Sequence, residues 1–509
     1  MEQNVSAADD KNIAKRSFKA AGLVLAIQFT MQFIQIFLGI CMARLLTPED
    51  YGIIGMLSIF WAVALVFIFG GFSQALVQRK EITEIDLSSV FYYNVFLSLF
   101  FFALMEGLAP VIARFYGQPI LEPTIRVMAW VLPISALAAV QQVLLMRQLK
   151  QFFITISTLV SHFIAGLVAI GLALMGKGVW AIVWQRVIAA ILSTVAVFLF
   201  VRWVPKLKFS FKALASLWTF GSKLLAIALL DALVQNFTNL VVGKTEGKRT
   251  LGFFSRSKYF ARLWPFSVQG AIANVLFPAF SKIQDDPQRL RAAFSRSLAL
   301  STFAVIFIPF LLCTLCRPII MLVLGEKWIP CIPFWWLITC AYVFFPIQAL
   351  NIQVLKARGH ASLYLLLEVT KKILYGVQIT VLIIWGIIPM LLCEITFSFI
   401  CVYLNSYFTG RDLQYGLFKQ LRDFLPYVAI TFPSCLLAWE LYQVITPHSP
   451  WAGLIVPAAA GCLVYLTLNR VFKTPALYEF VNLSGTKFPW IRKVLFCPLP
   501  ADRRESKFA

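Results

Sequence analysis

Residues 251–278 read LGFFSRSKYFARLWPFSVQGAIANVLFP, and three cations, Arg256, Lys258 and Arg262, interrupt an otherwise apolar run. The run is longer than the roughly 20 residues a helix needs to cross a bilayer. A charge at bilayer depth costs several kcal/mol, about 2.5–3.5 on insertion scales, so such residues usually face a bundle interior or a watery cavity. Lys258 and Arg262 stand four apart and share one helix face. Arg256 points elsewhere, toward the nearby interface. The cations either line a basic cavity or snorkel and form structural ion pairs.

Composition generalises the point. Sixty per cent of the 509 residues are hydrophobic and 13% are charged, far from a soluble globular chain. The expected fold class is an all-α polytopic membrane protein. A formal charge of +22 suggests nucleic acid, but no basic run is interleaved with base-stacking aromatics on a polar domain. Nucleic acid is therefore not an expected partner; membrane lipids are, because the charges fill short gaps between apolar segments. Cys41, Cys340, Cys393, Cys401, Cys435 and Cys462 sit in apolar segments as small hydrophobes. Cys313 and Cys316 form a C-x-x-C without a second pair at zinc spacing, so no metal site is expected. The basic residues Lys11, Lys15, Arg16 and Lys19 precede a stretch too long for a signal-peptide core, which is read as a retained first span.

About fourteen spans fit the chain. They group as a cytoplasmic arm (1–17), a first lobe (18–203), an amphipathic connector (204–217), a second lobe (218–410), two further spans (411–473) and a tail (474–509). Each lobe holds six spans, making two pseudo-symmetric bundles plus two C-terminal helices. Lys and Arg number about 29 in the arm, even-numbered gaps and tail, against about 9 in the odd-numbered gaps, which places both termini in the cytoplasm. In the connector region, Arg202, Lys206, Lys208 and Lys212 alternate with Phe209, Phe211, Leu214 and Leu217, the pattern of an interfacial segment.

The first turn is set locally. Thr47 is a candidate N-cap, Pro48 suits the first helical position, and Glu49 and Asp50 favour the positive end of the helix dipole. Arg44 either pairs with one of these acids or meets a substrate. Internal similarity recurs at a spacing of about 200 residues, as expected of a duplicated bundle. Tyr51-Gly52 matches Leu251-Gly252, the Pro110–Gly117 segment matches Pro318–Gly325, and the Gln142–Arg147 segment matches Gln353–Arg358.

Polar residues inside spans are the candidate site. Gln28, Gln32 and Gln35 recur on one helix face, with Asp231 in the second lobe in register with Gln32. These faces look into the gap between lobes or bond neighbouring helices. Counting from a turn near Gly247, Asp231 and Arg262 reach similar depth, so they are candidates for an ion pair broken by substrate or protons. Positions matching Lys258 and Arg262 in the first lobe are near Ser58 and Ala62, so the cationic site belongs to the second lobe. Lys223 either snorkels or greets a phosphate. Glu106, His162, Arg186, Glu368, Lys371, Lys372 and Glu394 lie in or near spans; Glu368 with Lys371 or Lys372 reads as a structural pair. No Walker A, H-E-x-x-H or G-x-S-x-G motif occurs. No cofactor is expected, and energy would come from the membrane potential, the substrate gradient or an ion gradient, H+ or Na+.

The segments Ala43–Gly52 and Gly70-Gly71-Phe72, then Leu251–Arg256 and Val275–Ser281, resemble the polysaccharide transporter or Wzx flippase family. The likeness covers nearly all of residues 15–475 and is greatest to the colanic and teichuronic acid export branch of the multidrug, oligosaccharidyl-lipid and polysaccharide exporter superfamily. It implies a two-lobed transporter, not an enzyme, that turns an undecaprenyl-diphosphate-linked oligosaccharide across the bacterial cytoplasmic membrane by alternating access. It also implies a polysaccharide polymerase and chain-length or export machinery as partners. Lys258, Arg262, Lys223 and Arg256 would meet the diphosphate, and Gln28 and Gln32 the sugar. A cation-coupled multidrug efflux antiporter is one alternative, with Asp231 as its acid. A membrane-embedded sugar ligase or polymerase is another, although it would need a large outer loop.

Overall fold

The computed structural model describes residues 30–79, 81–148 and 150–485. Gln28, the arm at 1–17 and residues 486–509 of the tail lie outside the described residues. The chain divides into two compact units, Met1–Gly252 and Phe253–Ala509, and the described residues form helices without strands.

The first unit contains α1 (Thr30–Leu45), α2 (Pro48–Phe69), α3 (Phe72–Gln78), α4 (Glu84–Tyr116), α5 (Leu121–Ala129), α6 (Val131–Arg147), α7 (Gln151–Leu174), α8 (Val179–Phe200) and α9 (Phe211–Thr245). The start of α2 follows its sequence: Thr47 Oγ1 accepts from the Asp50 amide at 3.3 Å, and the Asp50 carboxylate accepts from the Thr47 amide at 2.9 Å. This reciprocal box satisfies two amides that a helix start otherwise leaves without partners. Thr83 and Asp86 repeat the device at α4. Glu49 pairs with Arg249 at 3.3 Å.

Residues expected as a connector divide at Ser210. Ahead of it the chain is irregular and tied to α4, with the Lys206 and Ser210 amides donating to Ser88 Oγ at 3.1 Å and Ser89 Oγ at 3.0 Å. Ser210 then caps α9, so Phe211–Leu217 continue into a helix of 35 residues. That helix packs along α2, α3 and α4, which is why the division between units falls after it. The next helix, α10 (Gly247–Lys282), is 36 residues long and carries the division in its first two turns.

The glycines matched by the internal repeat make a reciprocal contact inside the first unit. A Cβ on Gly52 would lie 1.7 Å from the Lys248 carbonyl oxygen, and one on Gly252 would lie 1.9 Å from the Pro48 oxygen. Only glycine lets the starts of α2 and α10 meet backbone to backbone.

The second unit continues with α11 (Pro287–Thr314), α12 (Cys316–Ile319), α13 (Cys331–Ala341), α14 (Phe345–Ala357), α15 (Ala361–Trp385), α16 (Ile387–Leu413), α17 (Leu417–Ile445), α18 (Ala452–Val471) and α19 (Pro475–Gly485). Phe307 of α11 stacks on Tyr465 of α18 with ring centroids 4.0 Å apart, and the Tyr465 hydroxyl donates to the Phe303 carbonyl at 3.0 Å. Gln420 Oε1 of α17 accepts from Asn351 Nδ2 at 2.8 Å and Ser406 Oγ at 2.9 Å, joining α14, α16 and α17. Such bonds hold helices together where lipid removes the hydrophobic drive between them. Lys371 and Glu368 form the expected pair at 3.0 Å.

Eleven helices among the described residues are long and apolar enough to cross a membrane, against the fourteen read from the sequence. Two others, α10 and α15, have the length, but their charges, Lys258 and Arg262 in one and Glu368, Lys371 and Lys372 in the other, lower their apolarity. Phe33, Phe96, Leu199 and Ile383 are more than half exposed, an arrangement that suits hydrocarbon as the solvent.

Replacing Gly252 with valine should lower the yield of folded protein and its melting temperature, by an amount in the range of about 1–3 kcal/mol or above for overpacking. Gly107→Ala, on α4 with nothing within 4 Å of the added methyl, should be neutral or stabilising by up to about 1 kcal/mol. Thermal unfolding in detergent distinguishes the two.

Candidate functional site

Two hydrogen bonds orient α10. Ser257 Oγ donates to the Cys331 carbonyl at 2.9 Å, and Trp264 Nε1 donates to the Ala304 carbonyl at 2.8 Å. Residues 257 and 264 are seven apart and lie on one face, which is thereby fixed to α13 and α11. Lys258 and Arg262 stand on a neighbouring face, half-buried. Pro265 follows one turn later and cannot donate to the Ala261 carbonyl, so the helical ladder is interrupted beside Arg262.

Aromatic rings shield the cations. The Arg262 guanidinium lies over the Phe266 ring at 4.2 Å from its centroid, and Phe266 stacks on Phe345 at 4.6 Å and meets Tyr342 edge-on at 5.6 Å. Lys258 Nζ lies 5.5 Å from the Phe254 centroid. The rings that meet Phe266 come from a break in the helix: Tyr342–Phe344 form a single 3₁₀ turn between α13 and α14. The sequence suggested one span there, from 329 to 356; Cys331–Ala357 is one membrane-spanning candidate and holds this turn within it. Broken spans of this kind recur where membrane transporters bind their cargo.

The acid within electrostatic range of these cations is Glu394 of α16. It attracts both Lys258 and Arg262, which repel each other, and Tyr342 lies within the fields of Glu394 and Arg262. Among the described residues, no ion pair within 4 Å includes any of the three charged groups. Two cations share one carboxylate, so the cluster keeps a net positive charge. An anion with paired oxygens can take it up through charge-assisted hydrogen bonds.

The other candidates are placed as follows. Arg256 lies off this face, 5.8 Å from the Tyr259 ring centroid and within reach of Cys331. Gln32 and Asp231 are half-buried and Arg44 and Lys223 exposed, all in the first unit. Cys313 is buried, its Sγ 3.1 Å from Thr339 Oγ1. Sequence reasoning placed Glu394 in a span without joining it to Lys258 and Arg262. The available signal was that a lone carboxylate in hydrocarbon needs a cation.

The fold is that of a multi-pass membrane transporter. Its backbone is similar to the solved structure titled "Lipid II flippase MurJ, inward closed conformation", with a TM-score of 0.67, 18% identity and coverage of 88% of this chain and 98% of that one. The family described as "Polysaccharide biosynthesis protein" matches residues 41–333, more than half of the chain, and the chain belongs to that family. It is similar to the succinoglycan biosynthesis transport protein ExoT of Rhizobium meliloti (strain 1021), 22% identical over 460 residues, which cover 88% of this chain and 91% of that protein. It is also similar to the teichuronic acid biosynthesis protein TuaB of Bacillus subtilis (strain 168), 24% identical over 412 residues, with 78% and 83% covered.

If Glu394 balances the cations, Glu394→Gln should lower the melting temperature, and Lys258→Gln added to it should restore part of the loss. A double-mutant cycle should return a coupling of about 0.5–3 kcal/mol, the range for interacting neighbours. Strict additivity would mean the three charges act independently.

Proposed function

We propose that this chain is a flippase that moves an undecaprenyl-diphosphate-linked oligosaccharide across the bacterial cytoplasmic membrane by alternating access. Both termini lie in the cytoplasm, and a polysaccharide polymerase with its chain-length or export machinery takes up the delivered unit. The chain carries cargo and does no covalent chemistry. The observation that carries this reading is the net-positive cluster of Lys258, Arg262 and Glu394 inside a membrane-embedded unit. A diphosphate leaving water needs donors that replace its hydration, and an ammonium and a guanidinium supply them. Family membership and the transport role named for ExoT support the same cargo class. A cluster of net positive charge repels cationic drugs, which speaks against the efflux alternative. Glu394 gives the cations an internal counter-charge when no cargo is bound, so loading exchanges one anion for another and the cations are never fully bare. H+ or Na+ coupling would act through acids such as Asp231, and Gln28 and Gln32 would contact sugar.

The test is a leaflet assay in proteoliposomes with polyprenyl-diphosphate-linked oligosaccharide, run beside a cationic dye. Lys258→Gln with Arg262→Gln should abolish flipping while leaving membrane insertion intact, and Glu394→Gln added to it should return the melting temperature toward that of the parent. Unchanged flipping in that variant, or export of the dye in its place, would overturn the assignment.

A further inference from the structure

Arg186 of α8 is an intramembrane cation that the mechanism above does not use. On this helix Trp184, Ile191, Val195 and Leu199 are exposed and apolar and form the stripe that meets lipid. At 3.6 residues per turn, Arg186 lies about 140–180° round the axis from every member of that stripe. Its neighbours on the helix surface, Ile182, Val183, Ala189 and Ala190, are buried or half-buried. Arg186 itself is exposed. A side chain that stays accessible in the middle of a packed face opens onto space inside the bundle rather than onto hydrocarbon.

Depth and charge sharpen the point. Arg186 is seven residues from the start of α8 at Val179, about 10 Å along the axis and so about a third of the way through the apolar core. Several other arginines of the first unit have partners within the protein: Arg126 reaches Glu122 at 2.8 Å, Arg79 reaches Asp86 at 3.4 Å, Arg249 reaches Glu49 at 3.3 Å and Arg147 donates to the Leu76 carbonyl at 2.8 Å. Among the described residues no carboxylate pairs with Arg186 or acts on its charge. An arginine kept at this depth without an internal counter-charge is matched to an anion that arrives from outside the protein.

We infer that Arg186 is a second oxyanion-binding position, in the first unit, which engages paired oxygens of the cargo through its guanidinium fork. This deepens the flippase reading and rests on it. The oxygens belong either to the carrier diphosphate or to the carboxylate of an acidic sugar, and guanidinium geometry suits both.

Full-length protein in proteoliposomes is assayed with two polyprenyl-diphosphate-linked oligosaccharides, one neutral and one containing a uronic acid. Arg186→Gln should slow flipping about tenfold or more, the scale of losing a charged hydrogen-bond partner, at an unchanged melting temperature. Equal loss with both cargoes assigns Arg186 to the diphosphate, and loss confined to the acidic cargo assigns it to the sugar. Parent rates with both would overturn the inference. If Arg186→Gln fails to accumulate, Arg186→Lys keeps the charge but removes the fork. It should lose several-fold in rate and show a smaller thermal shift with inorganic pyrophosphate or glucuronate, and parent values in both would equally overturn it. The thermal shifts also separate the two readings. A Lys258→Gln/Arg262→Gln variant that flips normally would remove the cluster as the cargo site, and a ligand shift lost only on changing Arg186 would leave this position standing.

Discussion

A charge in hydrocarbon must be answered by another charge, by water or by cargo, and that constraint orders the second unit. Lys258 and Arg262 interrupt α10 at depths where neither can be ignored. Their answer is assembled from three sources: the carboxylate of Glu394, the ring faces of Phe254 and Phe266, and accessibility on a face left free by the Ser257 and Trp264 bonds. Each is partial: a ring face offsets about 0.5–2 kcal/mol of a cation's burial, and a shared carboxylate is divided between two.

The first unit solves a different problem, the close approach of helices without large side chains between them. Gly52 and Gly252 let two helix starts touch through their main chains, and a Cβ added to Gly71 or Gly221 would lie 3.4–3.6 Å from the backbone of the other. Where the chain leaves the bundle it is secured by serines: Ser88 and Ser89 accept from the amides of the segment that leads into α9. Backbone donors in an irregular segment need such partners, since an unpaired amide away from water is destabilising.

What could be seen in advance follows the range over which each interaction acts. The box at Thr47–Asp50 and the Glu368–Lys371 pair involve residues three apart, so propensity and spacing revealed them. Lys258 and Arg262 were visible because their chemistry contradicts their surroundings. Glu394 stood out for the same reason, but its link to α10 spans about 130 residues and belongs to tertiary packing, which no local pattern encodes. The break at Tyr342–Phe344 was hidden by an unbroken apolar run; only Pro346, just past it, hinted at a new helix start. The glycine contact was half legible: the repeat paired the two positions, but not the carbonyls they touch.

Arg262 and Lys258 differ in shape, and the ring beneath Arg262 makes the difference matter. A flat guanidinium whose centre lies over the Phe266 ring still carries a rim of N–H groups in its plane. An ammonium has no rim, only a rounded charge that welcomes any anion of suitable size. The two side chains therefore sort what they meet by separate criteria, Lys258 by sign alone and Arg262 by whether two oxygens lie side by side in a plane. A chloride ion would satisfy the first test and fail the second.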